Sequence, residues 1–236
     1  MLDETVVRVK VEADFACFTR PDLKVERMSY PCMTYSAARG VLDSILWKPE
    51  FKWYIRRIII LKPIQYTSIK RNEIKSKQSS NPIIIEENRT QRNSIILKDV
   101  AYIIEASVYQ DKFDEKNPPK KYVEMFNRRV KKGQCYRRPY LGTREFSCEF
   151  FEPLDSDKPI ADDVPIGSIF FDIFYDDKGS LEPVFAYNMA IRSGVFECDT
   201  ALNDRLMKSS HIRPNTEDGV KDILKFYAEF EEAEYA

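Results

Sequence analysis

Arg128, Arg129, Lys131, Lys132, Arg137 and Arg138 make a dense cationic run in this 236-residue sequence. A guanidinium fork matches the oxygens of a phosphate, and flat rings reward bases, so an arginine-rich segment interleaved with aromatics suits a polyanion. Two other groups point the same way: Arg20, Lys24 and Arg27 in one stretch, and Lys70, Arg71, Lys75 and Lys77 in another. The formal net charge of −1 conceals their weight. Through Cys148 the chain has 29 Lys and Arg against 18 Asp and Glu; from Glu149 onward it has 8 against 20. Such asymmetry suggests two segments with different partners, the first of them suited to RNA. The plainer alternative is that the halves neutralise each other across an interface.

The same inventory excludes several chemistries. His211 is the single histidine, so two-histidine metal sites are ruled out, and any Ser-His-Asp or Cys-His arrangement would have to use it. It lies in "SSHIRP" and reads as a surface residue. Cys17, Cys32, Cys135, Cys148 and Cys198 are odd in number, far apart and form no C-x-x-C. That argues for a reduced, cytoplasmic chain without a disulfide framework or zinc ribbon. No metal and no cofactor is expected. Apolar runs such as Ile58–Leu61 fall far short of a membrane span of roughly 20 residues. "MLDETVVRVK" has no basic stretch followed by an apolar one, so no secretory signal and no membrane partner is expected.

Positioning these cations requires a fold, and 43% hydrophobic residues are enough to build one. "TVVRVKVEADFACF" alternates through Val7, Val9 and Val11, the period of a half-buried strand. "TYSAARGVLDSILW" puts Ala38, Val41, Leu42 and Ile45 on one helical face, with Thr34 as N-cap and Pro49 as stop. "YIRRIIILKP" reads as a buried strand, and residues 64–93 as a polar insertion of little periodicity. "SIILKDVAYIIEASVY" is a long third strand. "KKYVEMFNRRVKKG" is a second helix stopped at Gly133, and "LGTREFSCEF" a candidate fourth strand.

Strand, helix, strand, strand, helix, strand is the split βαβ order of the ferredoxin-like fold, which also underlies the RNA recognition motif. The expected class is therefore α+β. A basic ferredoxin-like domain spans 1–148, and an acidic segment over 149–236 carries a small antiparallel β appendage. Strands "GSIFFDIFY" and "EPVFAYNMAI" form that appendage, and "EDGVKDILKFYAEFEEAEY" a terminal helix in the acidic tail.

Three segments resemble one CRISPR-associated family, the fifth Cas family in its type I-C branch. They are "ADFACFTRPDLKVERMSYPCMTYSAARGVLDSILWKP", "KPIQYTSIKRNEIKSK" and "KKYVEMFNRRVKKGQCYRRPYLGTREF", and their order and spacing cover most of Ala13–Phe146. The resemblance implies a metal-independent endoribonuclease that cuts CRISPR precursor RNA in the repeat. The nucleophile is the ribose 2′-hydroxyl. The protein then stays on the 5′ handle of the mature guide RNA, beside the backbone and large subunits of the type I-C surveillance complex. Such chemistry needs a base, a cation for the phosphorane charge and an acid for the leaving 5′ oxygen.

The family places a tyrosine or histidine late in the first helix and a lysine–histidine pair at the start of the second. Carried over, these positions fall on Leu46, Lys120 and Lys121, of which only Lys120 matches. Leucine cannot exchange a proton. Adjacent lysines in a basic stretch depress one another's proton affinity, so Lys120 and Lys121 are the catalytic candidates. The RNA-binding candidates are Arg20, Lys24, Arg27, Lys70, Arg71, Lys75, Arg128, Arg129, Arg137 and Arg138, with Arg144 and Glu145 as a structural ion pair. One alternative is a catalytically inactive handle-binding subunit, which the departure at Leu46 favours. A second is a generic RNA-recognition module.

Overall fold

The computed structural model describes residues 5–23, 25–76, 82–110, 115–175 and 181–208. Lys24, Lys77, His211 and the expected terminal helix lie outside the described residues.

β1 (Val6–Ala16) alternates as its sequence does, burying Val7, Val9 and Val11. α1 (Tyr35–Ile45) begins at Thr34, whose hydroxyl accepts from the Ala37 amide, and buries Ala38, Val41, Leu42 and Ile45. β2 (Lys52–Ile60) and β4 (Arg89–Tyr109) follow the two other apolar runs, with β3 (Tyr66–Ile74) and the single turn α2 (Ile85–Asn88) between them. α3 (Pro119–Lys131) opens on a proline, whose missing amide costs nothing at a first helical position, and stops at Gly133 with φ +62°. β5 (Glu149–Phe151), β6 (Val164–Tyr175), β7 (Leu181–Arg192), β8 (Val195–Glu197) and α4 (Thr200–Lys208) complete the chain.

The strands form one antiparallel sheet in the order β5–β1–β4–β2–β8–β7–β6, with β3 pairing the first part of β4. Within it, β5–β1–β4–β2 is the order that a split βαβ unit produces, its crossovers running through α1 and α3. α3 is pinned by aromatics. Trp53 of β2 meets Phe126 of α3 edge-on at 5.0 Å, and Phe51 packs on Tyr122 at 4.7 Å. Burying each such side chain contributes about 1.5–3 kcal/mol. Arg39 of α1 makes two 2.9 Å bonds to the carboxylate of buried Asp172, tying α1 to β6.

Three expectations need correction. The stretch expected as an aperiodic insertion is mostly a hairpin: β3 pairs Arg89–Leu97 residue for residue. None of its side chains is fully buried, so no hydrophobic period marks it. The fourth strand occupies only the end of "LGTREFSCEF", at Glu149–Phe151, and the rest is a turn closed by a Tyr140–Ser147 bridge. The sheet also runs across the division at 148/149, since β5 pairs β1 and β8 pairs β2. That division is one of charge, not of hydrogen bonding. β8 and α4 were not anticipated.

The turn explains its glycine. Gly142 has φ +86°, and a Cβ there would lie 1.9 Å from the Cys17 carbonyl oxygen. Leu141 meanwhile accepts from the Cys17 amide at 3.1 Å and donates to Phe146 at 2.8 Å. Gly142→Ala is expected to cost about 2 kcal/mol through strain plus backbone displacement. Urea unfolding would read this as a lower midpoint at constant slope; an unchanged midpoint would show that the turn shifts freely.

Candidate nucleic-acid interface

α3 carries the two lysines because its other face is occupied. Tyr122, Val123, Phe126 and Val130 are buried against the sheet, which leaves Lys120 and Lys121 exposed in the first turn. Pro118 offers no side-chain cap, so the helix dipole favours an anion there, and the lysines add full charges to that field. Lys121 Nζ donates to Asn117 Oδ1 at 2.6 Å and stands 5.9 Å from the Tyr122 ring centre. Lys121 is thus held over its own helix start, and Lys120 is exposed in the same turn.

Leu46 is fully buried. It caps α1, its amide donating to Leu42 at 2.8 Å and its carbonyl accepting from the Trp53 indole at 3.1 Å. Its side chain packs in the core and presents nothing to solvent. The next residue, Trp47, is 60% exposed.

The arginine run is divided by its partners. A helix leaves its last carbonyls unsatisfied, and cations are favoured there. At the end of α1, Arg129 donates through Nη1 to the Ile45 carbonyl. The Tyr136 and Arg137 amides both reach Ser44 O, at 2.9 and 3.1 Å, and Arg137 Nε reaches Ser44 Oγ at 3.2 Å. Arg129 and Arg137 therefore fasten α3 and its following loop to α1, with only part of each guanidinium left over. Arg128 is exposed one position earlier, and Arg138 is ion-paired with Glu149 of β5.

The remaining candidates lie elsewhere. Arg71 is largely covered between Glu145 and Ser94 Oγ, the latter at 2.9 Å, so Glu145 pairs with Arg71 and not with Arg144. Arg27 lies 3.6 Å from Glu73, and Arg20 bonds Asp22 at 2.8 Å. The latter bond holds the Asp22 carboxyl below its ordinary range. Lys70 and Lys75 are exposed on and just after β3. Lys70 sits opposite Asn93, whereas α3 follows the end of β4 at Tyr109, a separation of roughly 50 Å of strand contour. Two cationic regions result, one on α3 and one on the hairpin. Two exposed aromatics on the first, Trp47 and Tyr136, were missed, although Tyr136 stands inside the basic run as "CYRRP".

Among the described residues, no group of three or more His, Cys, Asp and Glu side chains is placed to hold a metal ion, and no helix is long and apolar enough to cross a membrane. All five cysteines are free.

Residues 6–174 match the family described as CRISPR-associated protein (Cas_Cas5), in its Cas5d form. The chain is 44% identical over 181 residues to the CRISPR pre-crRNA endoribonuclease Cas5d of Thermus thermophilus, covering 76% of this chain and 78% of that protein. It is 44% identical over 159 residues to the CRISPR pre-crRNA endoribonuclease Cas5d of Mannheimia succiniciproducens, covering 61% of this chain and 71% of that one. In fold it is similar to the solved structure of SMU1763c from Streptococcus mutans, with a TM-score of 0.61 at 20% identity over 87% of this chain and 96% of the other.

Proposed function

This chain belongs to the Cas5d family of CRISPR-associated proteins, and from that premise we propose that it is an endoribonuclease cutting CRISPR precursor RNA within the repeat. The observation that carries the site is the exposed Lys120 at the uncapped start of α3, the one position that keeps the family's residue. In the cut, the 2′-oxygen attacks the adjacent phosphorus as its proton leaves to a base. The bond to the 5′ oxygen then breaks as that oxygen takes a proton, leaving a 2′,3′-cyclic phosphate and a 5′-hydroxyl. Lys120 stabilises the equatorial oxygens. Lys121, held by Asn117, is the neighbouring candidate for proton transfer. The protein works in the cytoplasm, retains the 5′ handle, and assembles with the backbone and large subunits of the type I-C effector.

A second function, handle binding without cleavage, is favoured by one observation: Leu46 is buried, so the first helix supplies no proton-transfer group there. Family membership displaces the generic RNA module. Purified protein with its cognate repeat RNA in EDTA separates the two functions. Enzyme activity predicts a discrete product ending in a cyclic phosphate; intact RNA at saturating protein, with or without magnesium, identifies the binding subunit.

RNA affinity is expected to rest on the basic face of α3. Each phosphate neutralised on a single strand contributes a slope of about 0.7 in log affinity against log salt. Arg128→Ala should reduce that slope by about one such step, since Arg128 is exposed and no fold contact depends on it in the way that the α1 cap depends on Arg129. A titration from low to high salt measures this, and an unchanged slope would remove Arg128 from the interface.

A further inference from the structure

Trp47 and Tyr136 are exposed large apolar side chains, at 60% and 82%. Both are rooted at one place. Tyr136 donates its amide to Ser44 O at 2.9 Å, and Trp47 follows three residues after Ser44, immediately beyond the buried cap Leu46. Around them stand the guanidinium groups that close the same helix end, Arg129 on the Ile45 carbonyl and Arg137 on Ser44 Oγ. The backbone under Tyr136 is held by that bond, and Trp47 follows the bonded cap residue Leu46, while both residues are exposed.

We propose that this corner is a stacking platform for unpaired RNA bases, with Trp47 and Tyr136 each receiving a base face and Arg129 and Arg137 lying along the intervening phosphates. It rests on the RNA-processing function above and names which part of the RNA binds here: a single-stranded segment, not a duplex stem. A duplex hides its base faces, whereas a splayed strand offers them to flat rings and its backbone to nearby cations. Tyr and Trp suit the task because their rings are rigid and have few rotamers to order on binding. Anchoring Arg129 and Arg137 to α1 places their charge before RNA arrives.

The probes are a mixed-sequence single-stranded RNA of about ten nucleotides and a blunt duplex of the same sequence. Trp47→Ala and Tyr136→Ala should each weaken single-strand binding about tenfold and leave duplex binding unchanged. Tyr136→Phe and Trp47→Phe should retain affinity within about twofold, and none of the four should alter the salt slope, because no phosphate contact is lost. Trp47→Phe should also abolish RNA-induced quenching of tryptophan fluorescence. The only other tryptophan, Trp53, is buried with its indole on Leu46 O.

Alanine variants that bind the single strand like the parent would overturn the platform while leaving the enzyme proposal standing. So would equal losses on the duplex, or phenylalanine variants as weak as the alanine ones. Variants that bind RNA normally but fail to join the effector complex would reassign the surface to a protein partner, and also overturn it. Failure of the parent to bind the single strand would refute the platform, while failure to bind or cut the cognate repeat would refute the RNA-processing function.

Discussion

Repeat RNA carrying 2′-deoxyribose only at the scissile nucleotide is expected to bind as the all-ribose RNA does and to stay intact. The attacking oxygen belongs to the substrate, so its removal eliminates the reaction, and no protein side chain substitutes for it. Binding survives because phosphates and base faces are unchanged, and these carry affinity. Filter binding and single-turnover cleavage on the same pair of RNAs give both numbers. Cleavage of the deoxy substrate, or a product ending in a 3′-hydroxyl, would show that water and not the ribose is the nucleophile.

Lys120→Ala is expected to slow cleavage by about 10²–10³ while changing affinity only modestly. Removing one preorganised donor from a developing oxyanion typically has that effect on rate, whereas a single exposed phosphate contact is a small part of a multi-phosphate interface. Lys120→Arg distinguishes charge from proton transfer, because guanidinium does not deprotonate in proteins. Substantial activity in Lys120→Arg would assign Lys120 to electrostatics and leave Lys121 as the base. Single-turnover rates at saturating protein remove any contribution from weakened binding. If Lys120→Ala and Lys121→Ala both cut at the parent rate, the start of α3 is not the site.

What the sequence revealed depended on burial. β1, α1 and α3 each have one face against the core, and their apolar residues therefore repeat at the period of the element, while β2 ends in a continuous buried run. β3 has no fully buried residue, and its polar alternation looked like loop. β8 is three residues long, too short for any period, and α4 is a short helix whose one start signal, Asp199 accepting from the Leu202 amide, was overlooked. The site was legible as composition but not as geometry. Arg129, Arg137 and Arg71 read as surface cations, yet two of them close α1 and the third is clasped by Glu145. Nothing local to an arginine reports a partner 84 or 93 positions away. Leu46 illustrates the converse: its apolar character signalled packing, and it is fully packed.

β4 is a single strand with two different surroundings. From Leu97 to Ser107 it is held between β1 on one edge and, from Tyr102 onward, β2 on the other. From Arg89 to Ile96 its ladder partner is β3, whose side chains are at best half-buried. Amides in the inner part can exchange with deuterium only when the whole core opens, whereas those bonded across the hairpin need only the β3 ladder to separate. Asp99, at φ +50° where the pairing with β1 skips a residue, marks the junction of the two regimes. The hairpin that carries Lys70 and Lys75 can therefore melt and re-form while the strand beneath it stays native. Arg71, joined to Glu145, and Arg27, beside Glu73 and accepting from the Ile95 amide, are contacts beyond the ladder that restrain it.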